Sequence, residues 1–341
     1  MAGGTGLFVD EGMLAHDPGY GHPERPERLR VLLDHLGAAR GFARLEPRLA
    51  TEDELALVHA PALVARVAAT AGCRHVQLDP DTVASAESWT AARLAAGGLL
   101  GTCEAVLAGQ IANGFALVRP PGHHAERDRA MGFCLFNNAA IAAAWLRRHG
   151  VARVAIVDWD LHHGNGTQHL FETDPDVLYV STHQYPYYPG TGDAQDIGRG
   201  EGAGRTLNLP FPAGFGDEEF LRAFGDVVLP VLRQFAPEFV LISAGFDADR
   251  RDPLGALELT PAGYAAMARA LVDLAADTGR GRIVAVLEGG YDLHAIVDGV
   301  DAVLAALRGD EHVPPAMSGD ARRADAVLER VRAAHAPYWR L

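Results

Sequence analysis

Short uninterrupted apolar runs punctuate this chain, and each is followed at once by polar, chemically capable residues. Phe115-Ala116-Leu117-Val118 ends at Arg119-Pro120-Pro121-Gly122, and Val154-Ala155-Ile156-Val157 ends at Asp158-Trp159-Asp160. Val177-Leu178-Tyr179-Val180 runs into Ser181-Thr182-His183, Phe239-Val240-Leu241-Ile242 into Ser243-Ala244-Gly245-Phe246-Asp247, and Ile283 to Leu287 into Glu288-Gly289-Gly290-Tyr291. Continuous runs of four or five residues, rich in β-branched side chains, read as strands buried on both faces, hence parallel. Helical patterns lie between them. Asn138 to Arg148 is rich in alanine, and Glu218 to Phe235 repeats apolar residues at helical spacing. Pro261 to Ala276 follows Thr260, which suits an N-cap with proline in the first turn. Strand and helix in alternation predict a doubly wound α/β sheet in one domain over residues 1–341. The core is expected over about 16–307, with a C-terminal helical tail over about 318–341. In such sheets the ligand site lies outside the carboxyl ends of the strands, which is where these polar residues fall.

Composition narrows the chemistry. The 341 residues carry 30 Lys+Arg against 44 Asp+Glu, a formal charge of −14. That balance disfavours nucleic acid as a direct partner. No lysine occurs at all. This removes the P-loop lysine, the Schiff-base lysine and the lysine general base; the Arg-for-Lys bias of a GC-rich genome also accounts for it. Cys73, Cys103 and Cys134 have no CxxC spacing, so a reducing compartment, the cytoplasm, is expected. No window approaches the ~20 apolar residues of a membrane span, and Met1 to Gly6 shows no secretory signal.

Asp158-Trp159-Asp160-Leu161-His162-His163-Gly164 is the sharpest segment. Alternate residues past a strand end share a face. A carboxylate and an imidazole two residues apart make a pair of metal ligands, and Asp247, after its own strand, is the natural third. An Asp/His/Asp set fits zinc, with iron(II) or cobalt(II) as alternatives; a capping aspartate and a core histidine are the plainer one. His123-His124 after a rigid turn can split roles, one imidazole held protonated by a carboxylate and the other left as a base. Tyr291, after a glycine pair that admits close backbone approach, can donate to an oxyanion; taken alone, a packed, satisfied tyrosine is the plainer reading.

These segments resemble the zinc-dependent histone deacetylase family, in particular its class II branch with the bacterial deacetylase-like and acetylpolyamine amidohydrolase relatives. The likeness rests on Arg119 to Ala125, Gly132 to Asn138, Asp158 to Thr167, Ser243 to Ala248 with Asp252-Pro253-Leu254-Gly255, and Glu288 to Tyr291. It implies the arginase/deacetylase α/β fold with an eight-stranded, mostly parallel sheet. It implies one zinc ion per chain on Asp160, His162 and Asp247. His124 would be general base and acid, His123 an electrostatic partner paired with Asp158, and Tyr291 the group that polarises the carbonyl. Asn165 stands where the class I branch carries a carboxylate beside His124, and a neutral partner should leave His124 lower in pKa. Phe133 and Tyr188 would line the acyl tunnel, and Arg28 an internal acetate channel. Structural potassium would use Asp158, Asp160, His162, Ser181 and Thr182, with a second assignment near Phe171, Asp174 and Val177.

Two departures from the family pattern matter, and a further position bears on substrate. Asp249 gives an Asp247-Ala248-Asp249 motif like that of arginase relatives, yet the other ligands of a two-manganese site are absent. Tyr187-Tyr188 replaces a phenylalanine pair. Leu254 stands where the polyamine-specific member has a glutamate gatekeeper. The expected partner is therefore an acylated lysine peptide or small acylated amine, with acetylpolyamine as the alternative; no membrane partner is expected, and a homo-oligomer is allowed. Asp81 sits where relatives hold the substrate backbone at the rim, or it caps a helix starting near Ser85. A silent acyl-binding module and an arginase-like ureohydrolase complete the readings weighed.

Overall fold

The computed structural model describes residues 3–37, 41–311, 313–315 and 321–341. Ten strands are described: β1 (Thr5–Phe8), β2 (Ala43–Arg44), β3 (Val76–Asp79), β4 (Thr82–Ala84), β5 (Asn113–Ala116), β6 (Val154–Asp158), β7 (Val177–Gln184), β8 (Thr206–Phe211), β9 (Phe239–Ala244) and β10 (Ile283–Leu287). The helices are α1 (Glu27–Leu36), α2 (Glu52–Leu55), α3 (Pro61–Ala68), α4 (Ser88–Leu107), α5 (Asn138–Arg148), α6 (Asn165–Phe171), α7 (Asp217–Ala223), α8 (Leu229–Phe235), α9 (Pro261–Gly279), α10 (Leu293–Arg308) and α11 (Asp325–His335).

Eight strands form one sheet in the order β2-β1-β5-β10-β9-β6-β7-β8, and every pairing in it is parallel. The apolar runs explain this: β5, β6, β9 and β10 are buried at every position, as strands covered on both faces must be. Helices α4 and α5 pack on each other and on β5, β6 and β9, while α9 and α10 pack on each other and on β1, β5, β9 and β10. Strands β3 and β4 form a separate antiparallel pair. No helix among the described residues is long and apolar enough to cross a membrane.

Register places the chemistry. Asp158 at the end of β6 is level with Ser181 of β7 and Ser243 of β9. The residues that follow these strands therefore emerge side by side.

Three expectations need correction. The strand expected over 115–118 is Asn113–Ala116. Gly114 belongs to it because a Cβ there would meet Thr102 Cγ2 of α4 at 2.6 Å, so close helix packing selects glycine inside the strand. The helix expected over 218–235 contains a π turn at Phe224–Val228; Pro230, in the first turn of α8, has no N–H for a regular ladder. The helix after Asp81 begins at Ser88 with Glu87 as N-cap, so Asp81 caps nothing there. Of the C-terminal tail, 318–320 lie outside the described residues, and α11 packs against β8.

Candidate active site

The ends of β6 and β9 carry Asp160, His162 and Asp247 to one point. One ligand atom from each lies within 4.8 Å of the others, and all three residues are buried. Asp160 Oδ1 accepts from the His162 backbone N–H at 2.9 Å, and Asp247 Oδ1 accepts from Leu161 N–H at 2.8 Å. Asp160 Oδ2 accepts from Gly289 N–H at 2.8 Å. A Cβ on Gly289 would stand 2.3 Å from Asp247 Oδ2 and 2.5 Å from Asp160 Oδ2, so the glycine after Glu288 is required by close approach.

The donor set fits a divalent cation. His162 Nδ1 lies 3.2 Å from Asp160 Oδ1 and 3.0 Å from Asp247 Oδ2. Burial would lower the His162 pKa, but these two carboxylates overcome it and push it up to about 9. Burial, then the Asp160 charge, pushes the Asp247 carboxyl up. Two acids and one imidazole packed this closely carry surplus negative charge, which a cation relieves.

The histidine pair is differentiated by its neighbours. His123 Nδ1 lies 3.0 Å from Asp158 Oδ2, which also accepts the Tyr179 hydroxyl at 3.0 Å. Burial opposes charge on His123, yet Asp160 and Asp158 outweigh it and hold the ring well above its ordinary pKa. His124 goes the other way. Burial, then the charges of His123 and His162, hold it well below the ordinary value, against a smaller raising effect of Asn165. Asn165 Nδ2 donates to Glu126 Oε1 at 2.6 Å, which fixes the amide orientation. Asn165 Oδ1 then accepts from His124 Nδ1 at 2.7 Å, so Nδ1 carries the proton and Nε2 is the free base.

Above the trio lies a pocket of about 100 Å³ lined by Asp81, His124, Gly132, Phe133, His162, Tyr188, Leu254 and Tyr291. Phe133 (φ +67°) donates its N–H to Thr82 Oγ1, and Gly132 donates to Asp81 Oδ1, so the β3–β4 turn braces one wall. Tyr188 stands edge-on to His124 with ring centroids 5.1 Å apart. The Tyr187 hydroxyl donates to the Leu254 carbonyl at 2.8 Å. The buried Arg28 guanidinium donates to the Gly290 and Glu288 carbonyls, each at 2.6 Å, and its carbon lies 5.0 Å from the Tyr291 ring centre.

Other expected groups lie outside this cluster. Asp249 is spent on a bidentate pair with Arg251, away from the trio, and Asp160, His162 and Asp247 form the one metal-competent group among the described residues. Ser181 Oγ pairs with His183 Nδ1 at 2.9 Å, while Thr182 Oγ1 is buried without a partner.

Several supporting groups were not assigned roles from sequence. Glu288 accepts from Gly122 and His123 N–H at 2.6 and 3.1 Å, pinning the histidine turn; burial pushes its pKa up to about 7. Glu24 bridges Arg28 and Arg119 in a fully buried cluster. Glu126 and Asp252 also act from outside the pocket. Asp252 and Glu288 stand inside motifs quoted above without a role given to them, and Glu126 directly follows one.

A parallel sheet with this cluster at its carboxyl edge makes a candidate metal site. The model of the "Histone deacetylase domain" family matches residues 22–307, and the chain belongs to that family. It is 44% identical over 318 residues to "Histone deacetylase 15" of Arabidopsis thaliana, covering 90% of this chain and 57% of that protein. It is 42% identical over 360 residues to human "Polyamine deacetylase HDAC10", covering 99% of this chain and 53% of that protein. The chain thus spans little more than half the length of these relatives. A solved structure titled "Crystal Structure of HDA15 HD domain" superposes with a TM-score of 0.93 at 41% identity, covering 99% of this chain and 96% of that one.

Proposed function

We propose that the protein is a deacetylase of the hydrolase class, in which one zinc ion held by Asp160, His162 and Asp247 serves to remove acetyl or other short acyl groups from an acyl-lysine side chain or a similar primary-amine amide. The observation that carries the reading is the meeting of those three donor groups, one of which, His162, lines the same pocket as His124 and Tyr291. A zinc ion held there would supply Lewis-acid polarisation and would lower the pKa of a water toward ~7. His124 Nε2 takes the proton from the attacking water and then delivers it to the leaving amine, which cannot depart as an anion. His123, held protonated by Asp158, keeps positive charge beside the reacting atoms. The Tyr291 hydroxyl donates to the oxyanion that forms as the carbonyl is attacked. Phe133 and Tyr188 enclose the apolar stem, Leu254 and Asp81 stand at the rim, and Arg28 braces the tyrosine loop beside an exit for acetate. Potassium held near Asp158, Asp160, His162, Ser181 and Thr182 would stiffen the strand ends, and the unpartnered Thr182 hydroxyl supports that placement. The cytoplasm is the proposed compartment.

Acetylpolyamine is the second substrate reading, favoured by the similarity to the human polyamine deacetylase. Leu254 offers no charge for a distal ammonium, which favours the acyl-lysine or small-amide reading. A turnover panel decides between them: acetyl-, propionyl-, butyryl- and trifluoroacetyl-lysine peptides against N-acetylputrescine and N8-acetylspermidine, with zinc measured on the same sample. Acyl-lysine turnover well above acetylpolyamine turnover is expected. Acetylpolyamine preference would reverse the substrate assignment, and no turnover in zinc-loaded protein would remove the reaction.

A further inference from the structure

We propose that Asp252 is a positioning residue for the reaction, holding Tyr291 at the angle from which its hydroxyl meets the oxyanion. This rests on the assignment of Tyr291 above. Asp252 is buried and lies outside the pocket lining. Its Oδ2 accepts from the backbone N–H groups of Tyr291 at 2.6 Å and Asp292 at 3.1 Å, and its Oδ1 from Leu254 N–H at 2.9 Å.

The geometry around one peptide unit gives this its force. The carbonyl of Gly290 and the N–H of Tyr291 belong to the same peptide plane. Arg28 Nε donates to that carbonyl at 2.6 Å, and Asp252 accepts from that N–H at 2.6 Å. A guanidinium on one edge and a carboxylate on the other clamp the plane. Its rotation would otherwise swing the Tyr291 Cα–Cβ bond, because Gly290 (φ +119°) imposes no side-chain restraint. The other Asp252 oxygen fixes Leu254, whose carbonyl accepts the Tyr187 hydroxyl. One carboxylate therefore sets both the tyrosine and the opposite lip of the mouth. A shift of about 1 Å in a catalytic group can cost ~10²-fold in rate.

The test uses zinc-loaded full-length protein, comparing Asp252→Asn, Asp252→Ala, Tyr291→Phe and the double variant Asp252→Asn/Tyr291→Phe, with kcat, KM, zinc content and melting temperature read on each. Asparagine keeps the shape but turns one acceptor into a donor facing an N–H, so Asp252→Asn should lower kcat about tenfold and Asp252→Ala about 10²-fold. Zinc content should stay at the native value. The double variant should be no slower than Tyr291→Phe alone, since a residue acting through Tyr291 has nothing left to position. Losses that multiply in the double variant, a loss confined to KM, or native kcat in Asp252→Asn would overturn the proposal. Should Asp252→Ala not fold, the asparagine arm decides alone. Native kcat in Tyr291→Phe would sink the tyrosine assignment and this proposal together; a slow Tyr291→Phe beside a fast Asp252→Asn would sink only this one.

Discussion

Giving His124 a charged partner should move the acid limb of the rate profile. Asn165 Oδ1 lies 2.7 Å from His124 Nδ1, and both residues are almost fully buried, at 2% and 4% exposure. A neutral hydrogen bond contributes about 1 kcal/mol and one to a charged group about 1.5–3. Asn165→Asp should therefore stabilise the imidazolium by a further ~1–2 kcal/mol, about one pK unit at ~1.36 kcal/mol each. Asn165→Asp alone, however, would set its second oxygen against Glu126 Oε1, where Asn165 Nδ2 now donates at 2.6 Å. The informative variant is Asn165→Asp with Glu126→Gln, which restores a donor at that contact. A base works only when neutral, so kcat/KM falls as pH drops through the His124 pKa. Since that pKa is held well below 6.5, the native limb should lie well below pH 6.5. In the double variant it should move up by about one unit. The assay is kcat/KM against pH, with zinc measured on each sample. A limb that stays in place while zinc is retained would mean that another group takes the proton.

Tyr291→Phe should lower kcat by a factor on the order of 10²–10³, as loss of an oxyanion donor does; steady-state kinetics at saturating substrate checks it. Asp247→Ala and His162→Ala should each fail to retain zinc after dialysis, read by metal analysis, and one zinc rather than two manganese per native chain should be found. His335 is buried with neither ring nitrogen partnered, and burial lowers its pKa from 6.5 to about 4. The folded state then binds fewer protons than the unfolded one, so stability falls as pH drops from 6.5 toward 4, by up to roughly 3 kcal/mol. His335→Leu should flatten that part of the stability curve in urea unfolding between pH 7 and 4.

The sheet was legible because a strand buried on both faces is apolar along its run: β10 is so throughout, and β6 and β9 are as far as Asp158 and Ser243. Its functional edge was legible because Asp160, His162 and Asp247 follow strand ends directly. The β5 boundaries were not, since Asn113 and Gly114 look like turn residues and their strand state depends on how closely α4 packs. The π turn at Phe224–Val228 was hidden inside a sound helical repeat. The supporting acids Glu126, Asp252 and Glu288 were hidden for a different reason. Each satisfies a backbone N–H or an amide 39 or more residues away, and a contact of that range leaves no periodicity in the chain.

Two of those hidden acids, Glu126 and Glu288, work with Asp158 and Asp160 to make two adjacent histidines differ. Sequence gives His123 and His124 identical rings on one turn, 4.1 Å apart between centroids. Asp158 and Asp160 place charge on the first, and that charge helps keep the second neutral. Glu288 fixes the turn from which both project. Glu126 fixes the amide that holds the second ring's proton on Nδ1. The neutral base is thus a consequence of burial and of its charged neighbours, while an amide that cannot flip decides which nitrogen is free. A substitution that removed the charge from His123 should make His124 easier to protonate, raising the acid limb even though His124 itself is untouched.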